Sequence, residues 1–262
     1  MSKPARLDAE LVRRGLAGSR AEAKRAIEEG NVAVRGVPAS RPTTLVSPAD
    51  PITLASPSAR FVSRGGEKLD GALGRLDVRV EGRRWLDAGA STGGFTDRLL
   101  QGGAAAVAAA DVGYGQLDWR LRNDPRVVVL ERLNVRTLSA GDLPWPPEAV
   151  VADLSFISLR LVLPALVGAA GKNADFVLLV KPQFEVGRDA IGKGGVVRDP
   201  ALWLDSMARV TGAARGLGMT LLAAVPSHLP GPAGNREFFL HLGPGDAVDD
   251  EVLRAAASEA AG

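Results

Sequence analysis

Hydrophobic spacing along this chain changes character near residue 60. Before it, Leu7, Leu11, Val12 and Leu16 recur on one helical stripe, which Gly15 and Gly18 interrupt. Ser19 then opens a second helix, with Glu22 three positions on forming a capping box and Gly30 closing it. The run Asn31-Val32-Ala33-Val34-Arg35-Gly36-Val37 alternates like a strand ahead of a turn, and Asp50-Pro51-Ile52-Thr53-Leu54 has the same character. A stretch rich in Ser, Pro and Ala over 55–63 breaks the pattern and ends in Arg60-Phe61-Val62-Ser63.

Beyond it, short apolar runs alternate with amphipathic stretches. Strands are expected over 84–87, 107–111, 127–130, 149–153, 176–180, 220–225 and 237–242, and helices near 66–76, 95–102, 116–122, 160–170 and 201–216. Seven strands alternating with helices predict an α/β fold: a Rossmann-like, seven-stranded, mostly parallel sheet covered on both faces, preceded by a small α+β domain. The expected divisions are a small domain at 1–59, an interdomain linker at 60–63, a large domain at 64–246 and a helical tail at 247–262.

Open sheets of this kind bind ligands outside the carboxyl ends of their strands. Trp85-Leu86-Asp87-Ala88-Gly89-Ala90-Ser91-Thr92-Gly93-Gly94-Phe95-Thr96-Asp97 reads as a strand ending in a carboxylate, a turn through three glycines and the start of a helix. That arrangement brings bare backbone close to a nucleotide. Asp111 closes the next strand, 24 positions after Asp87, near the separation expected of a ribose-binding acid. Asp153 closes the fourth strand and Lys181 the fifth. Glu237 begins the last, which shares the same edge if that strand is antiparallel. Lys68, within Arg64-Gly65-Gly66-Glu67-Lys68-Leu69, opens the helix ahead of the first strand. Any one of these residues could serve in a surface ion pair; together they form a candidate site. Ile191-Gly192-Lys193-Gly194-Gly195-Val196-Val197-Arg198 is glycine-rich and basic, either a loop over the target or an ordinary connection.

Composition narrows the classes. The 262 residues, 46% hydrophobic and 24% charged, suit a globular protein. Without cysteine there is no disulfide framework, thiolate metal site or cysteine nucleophile. Two histidines, His228 and His241, are too few for a metal cluster, so no metal is expected. No apolar run reaches the roughly 20 residues that span a bilayer, and Met1-Ser2-Lys3-Pro4-Ala5-Arg6 lacks a signal-peptide core. The expectation is a cytoplasmic protein with no membrane partner; oligomeric state is left open. The net charge of +2 is unevenly spread: residues 1–60 hold ten Lys/Arg against six Asp/Glu, which points that segment at a polyanion.

Arg6-Leu7-Asp8, Ser19-Arg20 and Gly30-Asn31-Val32-Ala33-Val34 resemble the small RNA-binding module named after ribosomal protein S-four. The resemblance implies that Arg6, Arg13, Arg20, Lys24 and Arg25 contact structured RNA; the alternative is that they only pair with Glu10, Glu28 and Glu29. The ordered set Lys68, Asp153, Lys181 and Glu237, with the glycine-rich turn, resembles the FtsJ-type class of S-adenosylmethionine-dependent RNA ribose methyltransferases. Ser63-Arg64-Gly65-Gly66-Glu67-Lys68-Leu69, Asp153-Leu154-Ser155-Phe156-Ile157-Ser158 and Lys181-Pro182-Gln183-Phe184-Glu185 are similar to the TlyA group, whose members are named both hemolysins and rRNA 2′-O-methyltransferases. The resemblance implies ribosomal RNA cytidines as substrate and S-adenosylmethionine as cofactor, lying along Asp87, Gly89, Ser91, Gly93 and Phe95, with Asp111 on the ribose and Tyr114 and Asn134 near the adenine.

Methyl transfer from a sulfonium is an in-line displacement, so the protein orients a nucleophile and removes its proton. A ribose hydroxyl needs a base, and a lysine can serve when burial or a like charge loosens its own proton. The expected roles are Lys181 as base, Asp153 as its orienter, and Lys68 and Glu237 as hydroxyl-positioning groups. Methylation of a base amino group fits less well, because Asp153-Leu154-Ser155-Phe156 is not an Asp/Asn-Pro-Pro-aromatic motif. Two further readings remain: a membrane-active hemolysin and a catalytically silent ribosome-binding factor.

Overall fold

The computed structural model describes residues 4–28, 31–54, 60–187, 190–192 and 194–262. The expected helix stop at Gly30, the pairing role of Glu29, and Lys193 in the glycine-rich segment fall outside these residues. Two compact units result, Met1–Ala59 and Arg60–Gly262.

In the first unit, β1 (Ala5–Arg6) leads into α1 (Leu7–Arg13) and then α2 (Arg20–Glu28). Gly15, at φ +69°, takes the left-handed conformation that ends α1. The Leu16 and Gly15 amides return to the Leu11 and Val12 carbonyls at 2.9 and 3.0 Å, which satisfies the last turn. Ser19 accepts the Glu22 amide at 3.2 Å while the Glu22 carboxylate accepts from Gly18, one residue before the expected box partner. Strands β2 (Val32–Val34) and β3 (Val37–Pro38) join through Arg35 and Gly36, both at positive φ, as a two-residue hairpin requires. β5 (Ile52–Leu54) pairs the other side of β2, and β4 (Leu45–Val46) pairs β1. Leu7, Leu11, Ala23, Ile27, Val32 and Val46 fill the core.

The second unit runs α3 (Arg64–Leu76), β6 (Arg84–Ala88), α4 (Gly94–Gln101), β7 (Ala106–Asp111), α5 (Trp119–Arg122), β8 (Val127–Glu131), β9 (Ala149–Ala152), α6 (Leu159–Ala170), β10 (Asp175–Val180), α7 (Pro182–Glu185), α8 (Pro200–Gly216), β11 (Thr220–Pro226), β12 (Phe238–Gly243) and α9 (Glu251–Ala261). Its sheet has the order β11-β12-β10-β9-β6-β7-β8. β12 alone runs against the other six strands, so its first residue stands at their carboxyl edge. The strand order reverses between β6 and β9, and a crevice opens there.

Residues 60–63, expected as a linker, are packed on this unit. Phe61 is buried beneath the bare Cα of Gly66, where a Cβ would lie 2.3 Å from the Phe61 Cβ, and the Val62 amide donates to Asp97 at 2.8 Å. The tail is likewise part of the fold: Leu253, Ala256, Ala257 and Ala260 of α9 join the main core.

Two glycines set the closest backbone approaches. A Cβ on Gly94 would meet the Ser63 hydroxyl at 2.2 Å and the Gly66 amide nitrogen at 2.8 Å, so the amino ends of α3 and α4 approach too closely for any side chain at 94. In Gly94→Ala that contact must open, at a cost of about 1–3 kcal/mol. Gly74, inside α3, has nothing within 4 Å of an added Cβ, so Gly74→Ala stabilises by about 0.5–1 kcal/mol through helix propensity. Thermal melts of the two variants should therefore move in opposite directions, by about 2–4 °C per kcal/mol.

Candidate active site

The turn after β6 leaves its strand through Gly89, whose φ of +87° brings it so close to β9 that a Cβ would lie 2.6 Å from the Asp153 carbonyl oxygen. Ser91 is also left-handed, at φ +48°. Asp111, at the end of β7, holds this turn: Oδ2 accepts the Ser91 amide at 2.8 Å and Oδ1 the Gly113 amide at 2.7 Å. A carboxylate has about four lone-pair positions, so both oxygens can still accept from a ligand. A cleft of about 500 Å³ lies beside the turn, lined among others by Ser63, Gly65, Ser91, Phe95, Asp153 and Lys181. A smaller hollow of about 220 Å³ adjoins Ser91 on the other side, lined among others by Asp111, Gln116, Leu117 and Glu131.

The four residues expected to carry chemistry form two ion pairs. Lys181 follows β10 and Asp153 follows β9, adjacent parallel strands, so their side chains meet: Nζ lies 2.5 Å from Asp153 Oδ1 and donates to Ser155 Oγ at 3.1 Å. This pair lines the cleft. Lys68 Nζ meets Glu237 Oε2 at 2.5 Å, with Glu237 1% and Lys68 6% exposed. Gly231 lies against that carboxylate, where a Cβ would be 2.5 Å from Oε1.

Other expected positions come out differently. Asp87 is fully buried beneath the turn; Thr96 donates to Oδ2 at 2.7 Å while Oδ1 has no partner among the described residues. Burial pushes its carboxyl up to about 7, with Asp153 and Asp111 adding to the rise and the Thr96 hydroxyl opposing it. Tyr114 and Asn134 stand outside both hollows. Tyr114 is exposed beneath the Arg132 guanidinium, 4.5 Å from its ring centre. Asn134 caps a short 3₁₀ turn by accepting the Arg136 amide.

Sequence reasoning passed over three residues here. Glu131 ends β8, accepts the Gly115 amide at 2.7 Å and pairs with Arg122; its place at the end of an apolar strand was the available signal. Glu185, buried, accepts from Ser158 Oγ at 2.5 Å and the Leu159 amide at 2.7 Å. It thereby ties the segment after Lys181 to the segment after Asp153. Burial pushes its carboxyl up, against the pull of those donors. Phe156, 92% exposed at φ +64°, lies tilted against Phe184 with ring centres 5.3 Å apart. A bulky residue with positive φ and an exposed ring marks stored strain beside the cleft.

On the first unit, every expected RNA contact with a described partner is paired. Arg6 and Arg20 reach Asp8 at 2.8 and 3.4 Å, Arg13 reaches Glu10 at 2.5 Å, and Lys24 reaches Glu28 at 3.7 Å. Arg25 too has a partner. Glu10 is buried, and Arg13 and then Arg14 hold its carboxyl down at about 2. Arg6, Arg13, Arg20 and Lys24 keep roughly half or more of their side chains in solvent, although Asp8 and Glu10 are themselves buried; only the Lys24–Glu28 pair is exposed on both sides and so weak.

The FtsJ-like methyltransferase family matches residues 61–244, and the S4 domain matches residues 5–52. The 16S/23S rRNA (cytidine-2′-O)-methyltransferase TlyA of Mycobacterium tuberculosis is 57% identical over 243 residues, covering 92% of this chain and 91% of that protein. Hemolysin A of Brachyspira hyodysenteriae is 36% identical, over 90% of this chain and 99% of that one. The solved structure of a hemolysin-named protein from Streptococcus thermophilus superposes with a TM-score of 0.77 at 37% identity, over 99% of this chain and 96% of that one.

Asp87 sets a pH dependence. An acid whose folded pKa lies above its unfolded value keeps a proton that the unfolded chain has lost, so stability falls as pH rises from about 4 to about 7. Asp87→Asn keeps an acceptor for Thr96 and removes the charge. Its Tm relative to the parent should rise between pH 5 and pH 8, by about 2–4 °C per kcal/mol; a gap independent of pH would show that Asp87 does not titrate there.

Proposed function

Since this chain belongs to the FtsJ-like methyltransferase family, we propose that it transfers a methyl group from S-adenosylmethionine to the 2′-hydroxyl of cytidines in ribosomal RNA, of the small subunit, the large subunit or both. The observation that carries this reading is the Lys181–Asp153 pair on the wall of a cleft bounded by the glycine turn. The names of its relatives supply the substrate class.

The residues present fit the cofactor. Backbone at Gly89 and Ser91 and the spare acceptor capacity of Asp111 would hold the nucleoside part, and Phe95 lines the cleft; Gly93 shapes the turn from behind, packed against Leu117 and Leu121. When bound, S-adenosylmethionine supplies an electrophilic methyl carbon on a positively charged sulfur.

In this reading Lys181, with its electron pair free, accepts the 2′-hydroxyl proton at Nζ, and Asp153 fixes that nitrogen at one point. Ser155, bonded to the same nitrogen, offers the hydroxyl a second partner. Lys68 and Glu237, too buried to reach far into the cleft, lock the first helix of the unit to the start of its last strand and position the site from below. Phe156 offers an exposed ring on which an unstacked base can lie. The first unit docks on folded RNA through the solvent-facing parts of Arg6, Arg13, Arg20, Lys24 and Arg25, whose remaining N–H groups would meet phosphates. The hemolysin name of some relatives finds no counterpart in a spanning helix: among the described residues none is long and apolar enough to cross a membrane.

The test is transfer of labelled methyl from S-adenosylmethionine to ribosomal subunits lacking the modification, with mapping of the labelled ribose. A 2′-O-methyl cytidine is expected. Lys181→Ala and Lys181→Arg should both lose about 100-fold or more in kcat while RNA affinity holds. Substantial activity in Lys181→Arg would assign the residue an electrostatic part, because arginine does not give up its proton. Cofactor binding without transfer to any ribosomal RNA would turn the reading toward a silent assembly factor.

A further inference from the structure

The glycine-rich segment after α7 and the loop between β11 and β12 are stapled together by one buried side chain. Asn235, 2% exposed, accepts the Val197 amide at Oδ1 and donates from Nδ2 to the Gly195 carbonyl, both at 2.9 Å. Its own carbonyl takes the Gly231 amide at 2.8 Å. Val197 is held from the other side as well, since the Trp203 indole donates to its carbonyl at 2.8 Å. A buried amide with its oxygen and nitrogen both engaged is a rigid fastening, and loosening it leaves unpaired polar groups.

Two arginines are presented by this fastening. Arg198 follows Val197 and Arg236 follows Asn235, so the Val197–Asn235 hydrogen bond sets their backbones side by side; both are exposed. Most arginines of this unit lie against carboxylates, as Arg98 does with Asp70 at 2.5 Å and Arg215 with Asp250 at 2.7 Å. Among the described residues neither Arg198 nor Arg236 has such a partner. Asp199, next to Arg198, instead turns its carboxylate to the Ala201 amide and caps α8. Arg236 also precedes Glu237, so the pair stands at the carboxyl edge of the sheet, the edge that carries Lys181 and Asp153.

We propose that Arg198 and Arg236, held together by Asn235, form a clamp for backbone phosphates of the RNA strand flanking the target nucleotide. This rests on the reading of an RNA substrate above. Two guanidiniums with no carboxylate partner among the described residues, on a fastened backbone, suit phosphate oxygens, which accept two parallel N–H bonds. Such contacts position a strand without reading its sequence. The clamp would be the methyltransferase unit's own hold on RNA, separate from the first unit's arginines.

The experiment compares the parent, the Arg198→Gln/Arg236→Gln double variant and Arg79→Gln, each as the full chain, in binding to ribosomal RNA transcripts across a salt series. Arg79 is exposed, without a carboxylate partner among the described residues, and precedes β6, at the opposite edge of the sheet. The double variant should lower the slope of log affinity against log salt by about 0.7–0.9 per lost contact. Its KM for RNA should rise several-fold, with kcat at saturating RNA and cofactor affinity unchanged, and Arg79→Gln should match the parent. An unchanged slope and KM in the double variant would overturn the clamp, whatever the turnover. An equal loss in Arg79→Gln would overturn it too, since any surface cation would then do. A reduced slope in a protein that methylates no ribosomal RNA would keep the clamp and sink the functional reading instead.

Discussion

The carboxyl edge of the large unit depends on two approaches too close for any residue but glycine. At Gly89 the strand end comes against the Asp153 carbonyl, and at Gly94 the start of α4 comes against the start of α3. The first approach puts the crevice floor next to the Lys181–Asp153 pair. The second draws α3 in far enough for Lys68 to reach Glu237. Packing is dense enough that neither gap could be widened by one methyl group without moving its neighbours.

The two ion pairs that result are unlike in kind. Lys68 and Glu237 are taken out of water, and pairs of that sort seldom add stability over an apolar equivalent, although breaking one side is costly. Their worth is in register: they hold one helix and one strand at a single setting. Lys181 and Asp153 remain in contact with the cleft, where the arrangement can respond to what binds. Glu185 works between these extremes, joining the segments that follow Lys181 and Asp153 and so limiting how far that pair can drift.

The strands of the large sheet were legible because parallel strands buried on both faces read as unbroken apolar runs, and each observed strand starts and ends within a residue or so of expectation. Acids and lysines at strand ends were legible for the same reason. What burial does to them was not: Asp87 looks like Asp111 in sequence, yet one is sealed under the turn and the other faces a hollow. Residues 60–63 read as linker by composition, because the partner that buries Phe61 is a glycine and glycine leaves no apolar signal. Glu185 and Asn235 are single polar residues in irregular segments, and no periodicity announces a side chain that fastens two loops. On the small unit the acids beside the arginines were visible as Glu10 and Glu28, while Asp8 went unremarked.

The Lys68–Glu237 pair joins residues 169 positions apart, from the first helix of the unit to the edge of its penultimate element in the chain. Contacts so distant along the chain form late, since the intervening loop must first be closed. A nascent chain therefore carries the glycine turn, Asp153 and Lys181 well before it can finish the site. Glu237 comes only with β12, the last strand of the sheet to be made and the one that lies between β11 and β10.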